Sequence, residues 1–191
     1  MAMFRYGKIP LLQKLACMGA LLASAAIAQQ GVAPVSLAPY YPTPMAVVEK
    51  MLELGELKPG ELVYDLGSGD GRVVILAAQK FGARAVGFEI DPPNVAYSRK
   101  LIAKLELTDL ATIEQKDLTL ADFSKPDLLF VYLLPDSNDK IRPLIESKAR
   151  KGMRIVAHDF QFREWEAEKT VTVTDTSDFE PREHKLFLYR R

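Results

Sequence analysis

Three glycines at alternate positions stand in Asp65-Leu66-Gly67-Ser68-Gly69-Asp70-Gly71. Such spacing lets a backbone turn tightly and approach a ligand with no Cβ in the way. A dinucleotide fingerprint, Gly-x-Gly-x-x-Gly, would put its third glycine where Arg72 stands, one residue later than the glycine found. Carboxylates at Asp65 and Asp70 flank the loop, and would repel a pyrophosphate. A cationic ligand with an amino group suits them. S-adenosylmethionine (SAM) carries a sulfonium and an α-ammonium and no phosphate, so it is the cofactor these residues imply. Asp65, Gly67, Ser68, Gly69, Asp70 and Gly71 are the expected cradle.

Glu89 lies 22 residues past Gly67, close to the spacing of a ribose-binding acid. A carboxylate there can accept both ribose hydroxyls. Asp91 has a better use as a helix cap before Pro92. Asp117, in Gln115-Lys116-Asp117-Leu118, is expected to accept from the adenine amine, with Leu118 against the ring; the alternative is a surface acid. Tyr132-Leu133-Leu134-Pro135, followed by Ser137-Asn138, is expected to border the reacting group. Tyr132, Leu133 and Pro135 are its candidate positioning residues, and the alternative is that they only pack. His158-Asp159 reads as structural or supporting, because neighbours in a strand point to opposite faces. The spacing of Cys and His implies no metal site, and no serine-nucleophile motif is present.

The elements that position these residues alternate. Val47, Val48, Met51, Leu52 and Leu54 have helical spacing within Met45 to Leu57, and Lys58-Pro59-Gly60 ends it. Strands are expected at 62–66, 85–89, 112–115, 128–134 and 154–157. The run 128–134 is apolar throughout, as in a strand buried on both faces. Helices are expected at 72–80, from Asp91-Pro92 onward with Val95, Leu101, Ile102 and Leu105 inward, and at 137–149. Ser137 is the expected cap of the last, with Ile141, Leu144 and Ile145 inward. Segments 170–174 and 185–189 read as an antiparallel pair closing a sheet edge. The fold class is α/β: a Rossmann-like, seven-stranded, mostly parallel sheet with a C-terminal antiparallel hairpin and helices on both faces.

The N-terminal segment differs. Arg5, Lys8 and Lys14 precede an apolar stretch from Leu15 to Ile27, which ends in Ala26-Ile27-Ala28. This is the pattern of a secretory signal peptide, and it is short for a membrane span, which needs roughly 20 apolar residues. Lys14 stands where a lipobox leucine would precede Cys17, so no lipoprotein is expected. The expected organisation is a signal peptide or N-terminal anchor over 1–28, a Pro-rich arm over 29–44 and a catalytic domain over 45–191. The first would place the domain in the periplasm or outside the cell. An uncleaved inner-membrane anchor would leave it in the cytoplasm. Cleavage after Ala28 removes the only Cys and three basic residues, so disulfides are excluded and acids exceed bases by three. The 191-residue chain has zero formal net charge, and no strong field for nucleic acid or an anionic membrane is implied.

From Met45 onward the loop with Glu89 resembles the SAM-binding motifs of class I methyltransferases. Tyr64–Arg72, Gly87-Phe88-Glu89-Ile90-Asp91-Pro92 and Leu133-Leu134-Pro135 are similar to bacterial relatives of the ATP synthase c-subunit lysine methyltransferase family. Pro42-Thr43-Pro44 fits the arm that borders the cofactor in that branch. The resemblance implies transfer of methyl from SAM to an amine acceptor, a protein lysine, with no nucleic-acid partner. Small-molecule methyltransferases share most of these signals, and a catalytically silent SAM-fold binding module is the other alternative. The Asn/Asp-Pro-Pro-Tyr motif of nucleobase and glutamine methyltransferases is missing after the fourth strand.

Overall fold

A computed structural model describes residues 36–177 and 179–191. The expected leader over 1–28 lies outside them. Met45–Leu54 forms α1, with Val47, Val48, Met51, Leu52 and Leu54 buried as their spacing predicts. β1 (Leu62–Leu66), α2 (Arg72–Phe81), β2 (Arg84–Glu89), α3 (Pro92–Lys104) and β3 (Ala111–Gln115) follow. Next come a 3-10 turn (Leu118–Leu120), β4 (Leu128–Val131), α4 (Pro135–Lys148) and β5 (Arg154–His158). β6 (Lys169–Asp175) and β7 (Arg182–Arg190) complete one seven-stranded sheet, in the order β3-β2-β1-β4-β5-β7-β6.

β1 to β5 are parallel to their neighbours. β7 enters antiparallel between β5 and β6, which it pairs in turn. Every residue of β4 and β5 is buried, and their side chains alternate between two cores. Leu128, Phe130 and Val156 join Val48, Leu52, Val74 and Ile102 under α1, α2 and α3. Leu129, Val131, Ile155 and Ala157 join Ile141, Ile145, Phe162 and Tyr189 under α4. The strand order reverses its direction of growth between β1 and β4, and ligands in open α/β sheets bind outside the strand ends at such a point.

Three expectations about elements are corrected. β4 stops at Val131, not at residue 134, and Tyr132-Leu133-Leu134 leaves the ladder. α4 starts two residues before Ser137, with Pro135 in its first turn, where the ring fixes the helical φ and no N–H is lost. Ser137 therefore caps nothing; its buried hydroxyl donates to the Leu37 carbonyl. Leu105 closes α3 and is exposed, and Ser98 takes an inward place on that helix. Its hydroxyl is satisfied by the Asn94 carbonyl at 2.8 Å, which lets a polar side chain be buried there.

Candidate active site

β1 feeds the glycine loop with all three glycines in the left-handed region, φ 81° at Gly67, 52° at Gly69 and 80° at Gly71. The loop is tied to the end of β2. Gly67 and Ser68 both donate their N–H to the Phe88 carbonyl, at 2.9 and 3.0 Å. Gly69 donates to Glu89 Oε2 at 2.6 Å. The other Glu89 oxygen accepts from Ile90 and Asp91, at 2.7 and 2.8 Å. Glu89 is thus fixed at the mouth of the loop by three backbone donors. Asp91 caps α3 through the Asn94 N–H at 3.3 Å, as its place before Pro92 predicts.

Asp65 is buried, and its Oδ2 has no hydrogen-bond partner among the described residues. Burial first, then the charges of Glu89 and Asp70, raises its pKa to about 7. A buried carboxylate oxygen left unpartnered costs stability unless something donates to it. The α-ammonium of SAM is such a donor, so the residues present fit the cofactor. Ser68 is at the cradle, but its side chain lies against β2: a Cβ on Gly87 would sit 2.5 Å from the Ser68 Cβ and Oγ. Asp70 turns away toward Arg72, accepting from Nε at 2.9 Å and Nη2 at 2.6 Å. Burial opposes its charge, yet the Arg72 bonds outweigh that and hold its carboxyl below the usual range.

The arm before α1 borders this loop. A Cβ on Gly69 would meet the Tyr40 ring at 2.6 Å, so that ring covers the loop. Arg72 Nη1 donates to the Thr43 carbonyl at 2.5 Å. On the far side, Asp117 follows β3 and caps the 3-10 turn, accepting from Thr119 N at 2.9 Å and Oγ1 at 2.8 Å. Leu118 is buried beneath it. Lys116 N donates to the Glu89 carbonyl at 3.0 Å, which sets Asp117 beside the Glu89 corner.

Leu133 is buried, with its Cδ2 3.5 Å from where a Gly67 Cβ would be. Pro135 opens α4 behind it. The Tyr132 ring lies on His158, with centroids 3.8 Å apart, and its hydroxyl donates to Asp159 Oδ2 at 3.3 Å. Burial, and then the charge of Asp159, pushes the Tyr132 pKa up to about 12.

His158 and Asp159 do not point to opposite faces, as neighbours within a strand would. β5 ends at His158, and Asp159 takes φ 56°, so the two side chains meet instead of diverging. His158 Nε2 lies 3.5 Å from Asp159 Oδ2 and 2.8 Å from His184 Nδ1. His184 Nδ1 is 3.4 Å from the same carboxylate oxygen, and Thr43 Oγ1 is 3.3 Å from His158 Nδ1. Burial lowers the His158 pKa to about 4, with Asp159 opposing, so its imidazole is neutral at pH 7. These three side chains form a group with metal-ligand chemistry, which sequence spacing did not signal. His158 Nε2 and His184 Nδ1 already sit at hydrogen-bond distance from one another, while the buried His184 Nε2 has no partner among the described residues. Sequence reasoning also missed His184, Arg182 and Tyr41. Arg182 and His184 lie on β7 just past the His158–Leu186 pair that ends its ladder with β5, and Tyr41 joins them from the arm through Arg182; no sequence spacing signals that meeting.

This sheet order, with a glycine loop after β1 and a fixed carboxylate after β2, defines a SAM-dependent methyltransferase. A crystal structure of an RNA methyltransferase from Salinibacter ruber, in complex with S-adenosyl-L-homocysteine, is similar at a TM-score of 0.71 and 39% identity, over 78% of this chain and 93% of that one. Residues 65–169 match the ANTKMT methyltransferase domain, and the chain belongs to that family. A protein-lysine N-methyltransferase of Saccharolobus islandicus is 34% identical over 152 residues, 79% of this chain and 92% of that protein. The ATP synthase c-subunit lysine N-methyltransferase of Homo sapiens is 31% identical over 154 residues, 77% of this chain and 65% of that protein.

Proposed function

We propose that the chain methylates lysine side chains of a protein acceptor. The observation that carries this is the likeness to the Saccharolobus protein-lysine N-methyltransferase across 92% of that protein. In this reading Asp65 and the backbone of Gly67, Ser68, Gly69 and Gly71 hold the amino-acid end of SAM, and Asp70 keeps the loop closed through Arg72. Glu89 accepts from the ribose, and Asp117 and Leu118 flank the adenine. Tyr132, Leu133 and Pro135 position the acceptor.

SAM supplies an electrophilic methyl group on a sulfonium. Tyr132, Leu133 and Pro135 would hold the neutral acceptor nitrogen in line with that methyl group, and the proton it sheds would pass to water. A lysine is mostly charged at pH 7, so buried walls such as Leu133 must favour its neutral form. The rest is alignment, which supplies several kcal/mol of the barrier.

The Salinibacter structure is described as an RNA methyltransferase, but a zero formal net charge gives this chain little of the field that draws polyphosphates. The test is transfer of labelled methyl from SAM to cell protein and to total RNA, followed by peptide mass spectrometry. Methyl on lysine supports the reading; label in RNA with none on lysine overturns it. For the segment 1–28 the proposal is export behind a cleaved leader, or an uncleaved inner-membrane anchor with the domain facing the cytoplasm, where SAM is made. A shortened soluble band on fractionation supports the first, and a full-length membrane band the second.

A further inference from the structure

Beside the cradle, a cationic side chain of the protein lies among two tyrosines and a carboxylate. Arg182, half exposed, donates from Nη1 to the Tyr41 hydroxyl at 2.8 Å. Its guanidinium carbon lies 5.2 Å from the centre of the Tyr41 ring, and its Nη2 is 3.6 Å from Asp159 Oδ2. The second wall is Tyr132, whose hydroxyl reaches the same oxygen.

We propose that Asp159, between Tyr41 and Tyr132, is the first docking point for the cationic head of the acceptor lysine, before it gives up its proton to water and reaches the apolar wall at Leu133, and that Arg182 is an internal stand-in which the substrate displaces. The proposal rests on the lysine reading above.

Its place is right. Tyr41 follows Tyr40, whose ring covers Gly69, and Tyr132 precedes Leu133, which lies against Gly67. Thr43 joins the two sides, holding Arg72 through its carbonyl and His158 through its hydroxyl. The slot therefore opens next to the loop end of the cofactor site.

Its chemistry is also right. Asp159 is pinned from both ends by one residue: its N–H donates to the Lys185 carbonyl at 2.7 Å, and its Oδ1 accepts from the Lys185 N–H at 3.0 Å. Its side chain is only 16% exposed, so its charge is poorly screened. The groups facing it are Tyr132, His158, His184, Arg182 and, beyond Arg182, Tyr41. The Arg182 pair is long, at 3.6 Å, and its cation is half in water, so solvent already competes for that end of the pair and a substrate cation can displace it. The Tyr41 ring, which already carries the Arg182 guanidinium, attracts ammonium and methylated ammonium alike, so the slot suits a lysine that has already received a methyl group.

The experiment is steady-state methylation of a synthetic peptide with one lysine by the full chain, as wild type, Asp159→Asn and Arg182→Ala, with SAM affinity measured on each. Asparagine tolerates the left-handed backbone at 159, and Arg182 is half exposed, so both variants keep the fold. For Asp159→Asn the peptide KM rises about tenfold or more, as expected when a hydrogen-bonded charge partner is lost, while SAM affinity stays within about twofold. For Arg182→Ala the peptide KM falls. An unchanged peptide KM in Asp159→Asn, or a rise in Arg182→Ala, overturns the slot while the lysine reading stands. A wild type that binds SAM but transfers no methyl to lysine overturns the lysine reading and the slot with it.

Discussion

The Gly69 N–H donates to Glu89 Oε2 at 2.6 Å, so the loop after β1 and the acid after β2 are held to each other before any ligand arrives. Removing the carboxylate both deletes the ribose acceptor and releases the loop. Glu89→Ala is expected to lose SAM binding by about a hundredfold or more, since hydrogen bonds to charged groups contribute about 1.5–3 kcal/mol each. Calorimetric titration with SAM checks it. Wild-type affinity would remove Glu89 from the site.

Two glycine substitutions separate backbone strain from collision. Gly67 has φ 81°, and a Cβ there meets only Leu133, at an ordinary 3.5 Å. Gly67→Ala should cost about 1–2 kcal/mol through its dihedral alone, a fall in Tm of a few degrees. A Cβ on Gly87 meets Ser68 at 2.5 Å and Ile113 at 2.8 Å, so Gly87→Ala should lower Tm further. Adding Ser68→Gly to Gly87→Ala should restore part of the loss, and thermal denaturation of the double variant tests the coupling.

Two buried groups pull the stability of the free protein in opposite directions with pH. Asp65 keeps its proton up to about pH 7 in the folded state against 3.8 ordinarily. The folded form then holds more protons across that window, and stability falls as pH rises through it. His158 takes up its proton only near pH 4, against 6.5 ordinarily. The unfolded form holds more protons there, so stability rises from pH 4 to 6.5 and is fully present above. The two slopes oppose each other between pH 4 and 6.5, so Asp65→Asn should make Tm rise with pH across that interval and His158→Gln should make it fall. Scans at unit pH steps read both slopes. Equal profiles in all three proteins would contradict the assignment.

Arg72 joins Asp70 to the Thr43 carbonyl and so fastens the arm to the loop. Arg72→Met should free the arm and leave Asp70 unpaired, at a cost of about 1.5–3 kcal/mol. Chymotrypsin cleavage after Tyr40, which is half exposed, should accelerate several-fold, and SAM affinity should drop. Unchanged cleavage would mean that Thr43 alone holds the arm.

What the sequence revealed was local. The loop from Asp65 to Gly71 and the acid at Glu89 were legible because a short strand ending in glycines, and a fixed distance to the next strand end, carry their own geometry. Asp91 was legible as a cap because Pro92 follows it. The start of α4 was misplaced because Ser137 is a good cap by type, whereas Pro135 had already set the helical φ two residues earlier. The group around Asp159 was not legible at all. It depends on one residue leaving the strand conformation, and on a register that brings Arg182 and His184 across from β7, more than 20 residues away in the chain. Alternation rules describe a strand while it lasts and say nothing about the residue that ends it.

The antiparallel insertion of β7 between β5 and β6 has a consequence for biosynthesis. Chains emerge from the ribosome N-terminal end first, so β5 and β6 are both made before the strand that joins them. Until residues 182–190 appear, the buried ladder of β5 is an open edge, and an open hydrophobic edge invites pairing with other chains. Closure of the sheet therefore waits for its last strand to be made. A nascent chain halted before residue 182 would carry a finished cofactor loop on an unfinished sheet, in need of a chaperone rather than a substrate.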